Sequence, residues 1–165
     1  MLKKSLYLIG IVSCFLLFTS YARAEVDAEV AYILNTFSFL VCGFLVMWMA
    51  AGFLFLESGL VTTRSVSTIA AKNIGKFAIV SIVFYLFGYN LGYGVDEGGI
   101  LGFPSLWTDN TSIDTGYSDA SDWFFQALFV CATVSIVSGA VAERIKIWPF
   151  FVFAAILGGF IYPIQ

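Results

Sequence analysis

The sequence contains no histidine, and its three cysteines, Cys14, Cys42 and Cys131, lie far apart in the chain. Without histidine the protein lacks the commonest general base and the commonest metal ligand among side chains. No two cysteines have the spacing of a metal site, so no metal or other cofactor is expected. No nucleophile is accompanied by a base and no phosphate-binding glycine loop occurs, so the sequence predicts that the protein is not an enzyme.

Charged residues are also scarce, since they make up 12% of the chain against about 25% in a soluble domain. Hydrophobic residues make up 60%, well above the roughly 45–50% of soluble proteins. We therefore expect an integral membrane protein whose main partner is the lipid bilayer. No basic run and no stripe of alternating basic and aromatic residues occurs, so nucleic-acid binding is not expected.

Residues 1–24 have the pattern of a signal peptide. Lys3 and Lys4 form a positive start, residues 6–18 are apolar, and residues 22–24 read Ala-Arg-Ala, which is a typical cleavage site. The alternative is that this segment stays attached as a first transmembrane helix. With cleavage, residues 25–165 form the mature protein, and its N-terminus lies outside the cytoplasm.

Four uncharged segments in the mature part are long enough to cross a membrane as helices. They predict an all-α, polytopic transmembrane helix bundle with spans at about residues 31–56, 77–94, 123–142 and 149–165. Residues 61–76 are predicted to be a short connection, and residues 95–122 a long acidic loop. Gly88 and Gly92 form a G-x-x-x-G pattern, which favours close packing against another helix, although chance or the approach of a loop also explains so short a pattern.

Basic residues indicate the side of the membrane on which each connection lies. After cleavage they all fall in two connections, at Arg64, Lys72, Lys76, Arg144 and Lys146. Cytoplasmic loops carry an excess of lysine and arginine, so both connections are predicted to face the cytoplasm. The protein is thus expected in the inner (plasma) membrane as a multi-pass chain, with its mature N-terminus and its acidic loop outside the cytoplasm.

Two glutamates, Glu57 and Glu143, lie at the ends of predicted spans. We expect them to act as helix caps, as interfacial charges or as partners of nearby lysine and arginine side chains, rather than as proton carriers. Their carboxylates are therefore assigned to the structure of the protein and not to transport.

The third span combines an uncharged core with embedded polar and small residues, and its outer end carries an aromatic cluster that includes Phe124, Phe125 and Phe129. Polar and small residues at this density are typical of a helix that faces protein or a water-filled path. An outward aromatic entrance favours a small monovalent cation, because cation–π attraction is worth about 0.5–2 kcal/mol. The alternative is that these phenylalanines face lipid or the protein core.

The sequence resembles the N-terminal part of the ammonium transporter family (Amt/Rh, bacterial Amt type) in three motifs. Residues 51–61, which read AGFLFLESGLV, resemble the end of the family's first helix. Lys72-Asn73, together with FGYNLGYG at residues 87–94, is similar to its second helix. The longest motif runs from FQALF at residues 125–129 to VSGAVAERIK at residues 137–146.

The resemblance implies a fold of eleven transmembrane helices built as an inverted repeat, and a homotrimer with one pore per subunit. By the motif match, Phe129 corresponds to the phenylalanine of the family's outer gate, and Phe125 lies one turn before it, near the vestibule. Gln126 belongs to the same motif and is assigned a structural role. The family's vestibule tryptophan, pore histidines and second gate phenylalanine fall beyond the matched region, so the chain is expected to be a truncated form with the first four helices.

The resemblance also implies a function, which is channel-like transport of ammonium or ammonia across the membrane. Four spans cannot enclose the family's pore, so the chain is expected to be inactive by itself. Two alternatives stay open: a membrane ammonium-sensor module, and a non-functional remnant that needs a partner chain.

Overall fold

The computed structural model describes residues 26–95 and 99–165, and every regular element in these ranges is helical. The predicted signal peptide, residues 1–24, lies outside the described residues. Four helices are long and apolar enough to cross a membrane, namely α1 (Ala28–Leu60), α2 (Thr63–Tyr93), α3 (Asp119–Ala140) and α4 (Ile147–Ile164). The predicted all-α, multi-pass membrane fold is therefore confirmed.

The second and fourth helices each contain a wider, π-helical turn. In α2 a 3₁₀ turn at Thr63–Ser65 leads into an α-helix at Val66–Val83, then a π-turn at Phe84–Gly88 and a last α-helical turn at Tyr89–Tyr93. In α4 the segment Ile147–Ile156 is followed by a π-turn at Leu157–Ile161 and by Tyr162–Ile164. The two π-turns pack against each other.

The start of α2 differs from the sequence prediction. Residues 61–76 are predicted to be a connection, but the α-helix already begins at Val66, so that prediction is wrong for most of the segment. The reason is that Lys72 and Lys76, four residues apart on one helix face, find polar partners inside the protein and so do not need to leave the helix for water. Of the three basic residues in this segment, only Arg64 is exposed, as is expected in a connection.

The first helix packs along α3 through a stripe of three buried residues spaced seven apart, Gly43, Ala50 and Glu57. Two of them are small, which allows the backbones to come close. A Cβ atom at Gly43 would lie 2.6 Å from a ring carbon of Phe124, so this ring fills the space left by the glycine. Most other large side chains of α1 are exposed on the surface of the bundle.

The hydrophobic core lies where α2, α3 and α4 meet. Its fully buried members come from all three helices: Val80, Phe84, Ala127, Val130, Cys131, Val134, Phe150 and Ala154. Gly88 and Gly92 face α4, where added Cβ atoms would lie 3.2 Å from the carbonyl oxygen of Gly158 and 3.3 Å from that of Pro163, respectively. The close helix packing predicted from the G-x-x-x-G pattern is therefore confirmed.

Residues 99–118 of the long loop fold back over one end of the helix bundle and do not extend freely. The backbone N–H of Gly102 donates to the carbonyl oxygen of Leu91 at 3.0 Å, and that of Trp107 donates to the carbonyl oxygen of Tyr85 at 3.0 Å. On the other side of the loop, Asn35 of α1 donates through Nδ2 to the carbonyl oxygen of Gly116 at 2.9 Å. These bonds hold the loop against the start of α3, where the predicted site residues lie.

Candidate functional site

Phe125 and Phe129 lie one helical turn apart on α3, and their rings contact each other. The ring centroids are 4.9 Å apart and the ring planes meet at 70°, an edge-to-face arrangement that aromatic pairs favour. Phe129 is 38% exposed, whereas Phe125 is partly covered. The contact agrees with their four-residue spacing, while the gate role of the two residues stays a prediction.

The first helix and the loop support Phe125 from its other side. Phe39 of α1 lies 5.4 Å from Phe125 and 5.1 Å from Tyr117, measured between ring centroids. The loop is fixed at this point because the backbone N–H of Ser118 donates to Thr36 Oγ1 at 3.0 Å. The rings form one contacting series, called here the aromatic row, which consists of Tyr117, Phe39, Phe125 and Phe129.

A buried carboxylate lies one turn before Phe125 on the same helix. Asp122 is 7% exposed, and its Oδ2 accepts a hydrogen bond from the Tyr89 hydroxyl at 2.6 Å. Its Oδ1 accepts from Gln126 Nε2 at 3.4 Å, and Gln126 Oε1 in turn accepts from the Tyr93 hydroxyl at 2.8 Å. The network links α2 to α3, which agrees with the structural role predicted for Gln126.

Four large rings pack beside this network where α2 ends and α3 begins. Trp107 of the loop lies 5.7 Å from Trp123 and 5.8 Å from Tyr85, and it meets Tyr89 edge-on at 6.4 Å. The rings contact one another directly and lie beside the hydrogen bond between Tyr89 and Asp122. Tryptophan is enriched at membrane interfaces, and here Trp107 and Trp123 also pack against each other and against Tyr85.

A second polar cluster is buried at the other end of the bundle, between α1, α2 and α3. Glu57 Oε2 lies 3.2 Å from Lys72 Nζ, and the two side chains are 1% and 5% exposed. The same oxygen accepts hydrogen bonds from Asn73 Nδ2 at 3.1 Å and from Ser138 Oγ at 3.0 Å. Lys72 Nζ also donates to the carbonyl oxygen of Ser138 at 3.1 Å. One carboxylate therefore connects three helices.

Lys76 extends this cluster towards the hydrophobic core. Its Nζ donates to Asn73 Oδ1 at 2.5 Å and to Ser135 Oγ at 2.7 Å, and the residue is fully buried. Aromatic rings complete the surroundings of both lysines, since Lys72 Nζ lies 5.0 Å from the Phe150 ring centroid and Lys76 Nζ lies 5.9 Å from that of Phe77. Cation–π contacts of this kind stabilise a charge that has left water.

The prediction that Glu57 pairs with a nearby basic side chain is confirmed, but the pair is buried and not interfacial. The prediction that all basic residues lie in the connections is wrong for Lys72 and Lys76, because each has polar partners within the bundle. The spacing of Lys72 and Lys76 in an otherwise apolar helical segment is the signal that could have revealed the cluster. The sequence gives no comparable indication of the Asp122 network, because its tyrosines, Tyr89 and Tyr93, lie in a distant segment of the chain.

Glu143 lies in the turn between α3 and α4 and ties this turn to the start of α2. Its Oε1 accepts from the Thr62 hydroxyl at 2.6 Å and from the Thr62 backbone N–H at 3.0 Å. The hydroxyl groups of Thr62 and Ser65, followed by that backbone N–H, lower the pKa of the Glu143 carboxyl. The residue has a φ of 59°, a left-handed conformation that is uncommon outside glycine.

Comparison with known proteins places these features in a family. Residues 37–165 match the Ammonium Transporter Family. Ammonium transporter Amt2 of Archaeoglobus fulgidus is 39% identical over 125 residues, which are 76% of this chain and 26% of that protein. The ammonium transporter of Aquifex aeolicus is 30% identical over 167 residues, which are 97% of this chain and 38% of that protein.

A third relative, ammonium transporter Amt1 of Haloferax mediterranei, is 36% identical over 144 residues, which are 85% of this chain and 27% of that protein. The chain thus spans between 26% and 38% of the length of these three relatives. The family match covers most of the chain, including both the aromatic row and the buried Glu57 cluster. The chain therefore belongs to the Ammonium Transporter Family.

Proposed function

We propose that the protein carries ammonium or ammonia across a membrane in a channel-like manner. The observation that carries this proposal is the family match over residues 37–165. Relatives from Archaeoglobus and Aquifex are named ammonium transporters. The four apolar helices provide the membrane setting that such transport needs. The family is one of transporters and not of enzymes.

We assign the outer entrance of the path to Phe125 and Phe129. The two rings contact each other edge-to-face, and Phe129 keeps an exposed portion that a substrate could meet. The face of an aromatic ring attracts a cation with about 0.5–2 kcal/mol. In this assignment Phe125 contributes to the capture of the cation and Phe129 closes the path behind it.

The proposed orientation follows from the charges at the two ends of the bundle. Arg64, Arg144 and Lys146 are exposed at one end, and cytoplasmic loops are rich in such residues. The loop at the other end exposes the acidic side chains of Asp109 and Asp114. We therefore propose an inner (plasma) membrane location in which the aromatic row faces outward, and a homotrimer as the assembly.

We further propose that the 165 residues do not conduct by themselves. The chain spans 26–38% of the length of the three relatives described above, and many large apolar side chains of α1 are exposed, for example Phe37, Phe44 and Trp48. A path bounded by these four helices alone would be open along its side. Conduction therefore requires further protein surface around α1 and Phe129.

Uptake of labelled methylammonium in cells that lack their own ammonium transporters tests the proposal. A protein in which these residues are continued to the length of the relatives, called here the full-length protein, is expected to restore concentration-dependent uptake that ammonium inhibits by competition. The 165-residue chain is expected to leave uptake at the background level. Both proteins are quantified in the isolated membrane so that differences in amount are not mistaken for differences in activity.

The outcomes separate the remaining alternatives. If the 165-residue chain restores uptake, the proposal that it is inactive by itself is wrong, whereas the proposed transport function is supported. Ammonium binding without uptake by the full-length protein would favour a sensor. If the full-length protein neither binds nor takes up ammonium by itself, but a co-expressed partner restores uptake, a remnant that needs another chain would be favoured.

A further inference from the structure

The buried carboxylate of Asp122 stands out because no lysine or arginine among the described residues pairs with it. Its hydrogen-bond partners, Tyr89 and Gln126, are uncharged donors. The one ion pair found in residues 26–95 and 99–165 is formed by Glu57 and Lys72 at the other end of the bundle. By sequence, no lysine or arginine occurs between residues 77 and 143. The outer half of the bundle therefore carries a negative charge without a basic counterpart.

Asp122 lies on the same side of α3 as the proposed entrance. Seven residues separate Asp122 from Phe129, and seven residues bring an α-helix back to within about 20° of the same direction. At a rise of 1.5 Å per residue, the two backbone positions are about 10 Å apart. Phe125 lies between them, with its ring against Phe129. The carboxylate and the two phenylalanines thus lie along one side of the helix.

The surroundings of Asp122 limit the screening of its charge. Asp122 is 7% exposed, and the rings of Trp107, Trp123 and Tyr89 pack against one another beside its network, so little water reaches the carboxylate. Burial, together with the carboxylates of Asp122 and Asp119, raises the pKa of the Tyr117 hydroxyl at the far end of the aromatic row. The influence of the carboxylate therefore extends to the residues that surround Phe125.

A purely structural bond between α2 and α3 would not need a charge at this place. An asparagine could accept the hydrogen bond from Tyr89 without the cost of burying an ionised group, which is larger than that of burying a neutral one. Asp122 also lies in the first turn of α3, where the helix dipole favours a negative charge, so the position suits an aspartate better than an asparagine.

We propose that Asp122 is a specificity-determining residue, whose negative charge draws ammonium, rather than neutral ammonia, to the entrance formed by Phe125 and Phe129. The inference rests on the proposed transport function. Asp122 does not contact the substrate; it acts through space on a cation that has reached the phenylalanine rings.

The test compares methylammonium uptake by the full-length protein and its Asp122→Asn variant at low and high ionic strength. Taking the backbone spacing of about 10 Å between Asp122 and Phe129 as the distance from the carboxylate to the cation, Coulomb's law predicts that loss of the charge raises the half-saturation concentration about 2- to 15-fold, depending on the effective dielectric constant. The maximal rate is expected to stay unchanged. Added salt should reduce the difference between the two proteins, because mobile ions screen a charge at this distance.

Two variants separate a charge effect from a structural one. Asp122→Glu keeps the charge and is expected to retain the low half-saturation concentration. Asp114→Asn removes a charge from an exposed loop position, and it is expected to leave both the half-saturation concentration and its dependence on salt close to those of the unsubstituted protein. If Asp122→Asn does not accumulate in the membrane, the Asp114→Asn protein still tests the inference. Its half-saturation concentration should depend on salt, because Asp122 keeps its charge in this variant.

Several results would overturn the inference. An Asp122→Asn protein with an unchanged half-saturation concentration, or with the same increase at both ionic strengths, would contradict it while leaving the transport function intact. A half-saturation concentration that does not depend on salt in the Asp114→Asn background would do the same. Absence of uptake by the unsubstituted full-length protein would instead remove the proposed function, and this inference with it.

Discussion

The Nζ atom of Lys72 lies 3.2 Å from Oε2 of Glu57, and both side chains are almost completely buried within the bundle. The same carboxylate oxygen accepts hydrogen bonds from Asn73 on α2 and Ser138 on α3. A buried ion pair adds little net stability compared with a well-packed apolar pair, but removal of one partner leaves an uncompensated charge. The pair therefore fixes how three helices fit together.

The first prediction concerns Glu57→Gln, which removes the carboxylate and leaves Lys72 and Lys76 without a counter-charge. We expect a loss of about 3–5 kcal/mol in the free energy of unfolding, measured by reversible unfolding in detergent micelles. Glu29→Gln, an exposed change on the same helix, serves as the control and should have little effect. The double variant Glu57→Leu/Lys72→Met should be less destabilised than Glu57→Gln; equal losses in all three proteins would contradict the role of the pair.

The second prediction concerns the proposed entrance. In the full-length protein, Phe125→Ala is expected to raise the half-saturation concentration for methylammonium about 2- to 30-fold, which corresponds to the loss of a cation–π contact of about 0.5–2 kcal/mol. Phe129→Ala is expected to change the maximal flux, either as a leak of other ions or as a loss of transport.

The matched control for the entrance is Phe55→Ala, because Phe55 is 75% exposed on α1. It removes an aromatic ring of the same size away from the aromatic row, and uptake should stay at the unsubstituted level. If Phe129→Ala left both flux and ion selectivity unchanged, the assignment of this residue to a gate would have to be abandoned.

The third prediction compares two glycines of α1. Gly43→Ala places a methyl group 2.6 Å from the ring of Phe124, whereas no neighbouring atom of the described residues lies within 4 Å of the corresponding position at Gly52. Overpacking of a helix interface costs about 1–3 kcal/mol, while alanine is favoured over glycine in a helix by up to about 1 kcal/mol. Thermal unfolding in micelles should therefore show a lower midpoint for Gly43→Ala and an equal or higher one for Gly52→Ala; a lower midpoint for both would contradict the packing.

The fourth prediction concerns pH and Glu143, whose carboxyl pKa is lowered from its ordinary value of 4.5 by the Thr62 and Ser65 hydroxyl groups. Because the pKa is lower in the folded state, the stabilising contribution of Glu143 is present above pH 4.5 and is lost as the pH falls through the folded value. The unsubstituted protein should thus lose stability relative to Glu143→Gln on acidification from pH 6 to pH 3.

Unfolding midpoints in detergent across this pH range measure the effect. Thr62→Val, which removes one donor hydroxyl, should bring the pH dependence closer to that of Glu143→Gln. Curves for the unsubstituted protein and Glu143→Gln that run parallel over the whole range would show that the turn bonds do not depend on the charge of the carboxylate.

The number and type of the membrane helices could be predicted from the sequence, because a span needs a long uncharged segment and the chain has few charges to interrupt one. The packing of Gly88 and Gly92 could be predicted for a related reason, since small residues at this spacing favour helix contact. These features depend on local composition, which the sequence displays directly.

The burial of Lys72 and Lys76 could not be predicted from charge counts. A lysine near the end of a span has the same effect on such a count whether it reaches the cytoplasm or turns into the protein. The difference depends on Glu57, Asn73 and Ser135, which come from three separate segments. The boundary of α2 was therefore predicted too late in the chain.

The network of Asp122 was beyond prediction for a similar reason. The carboxylate ends an acidic loop in the sequence, where solvent exposure is the ordinary expectation for a charged residue. Its burial depends on Tyr89, which is 33 residues away, and on the loop that carries Trp107 across the end of α2. Only the three-dimensional arrangement shows that this residue is buried and bonded to Tyr89.

The π-turn at Phe84–Gly88 divides α2 into two halves. The side chains of each half face a different polar network. On one side of the turn, Lys72 and Lys76 face the cluster of Glu57, and on the other side Tyr89 faces Asp122. Each residue of an α-helix turns the chain by about 100°, so a single insertion or deletion at this turn would rotate one half against the other. Such a change would move either Tyr89 away from Asp122 or the two lysines away from their partners. The hydropathy of the span would stay almost the same.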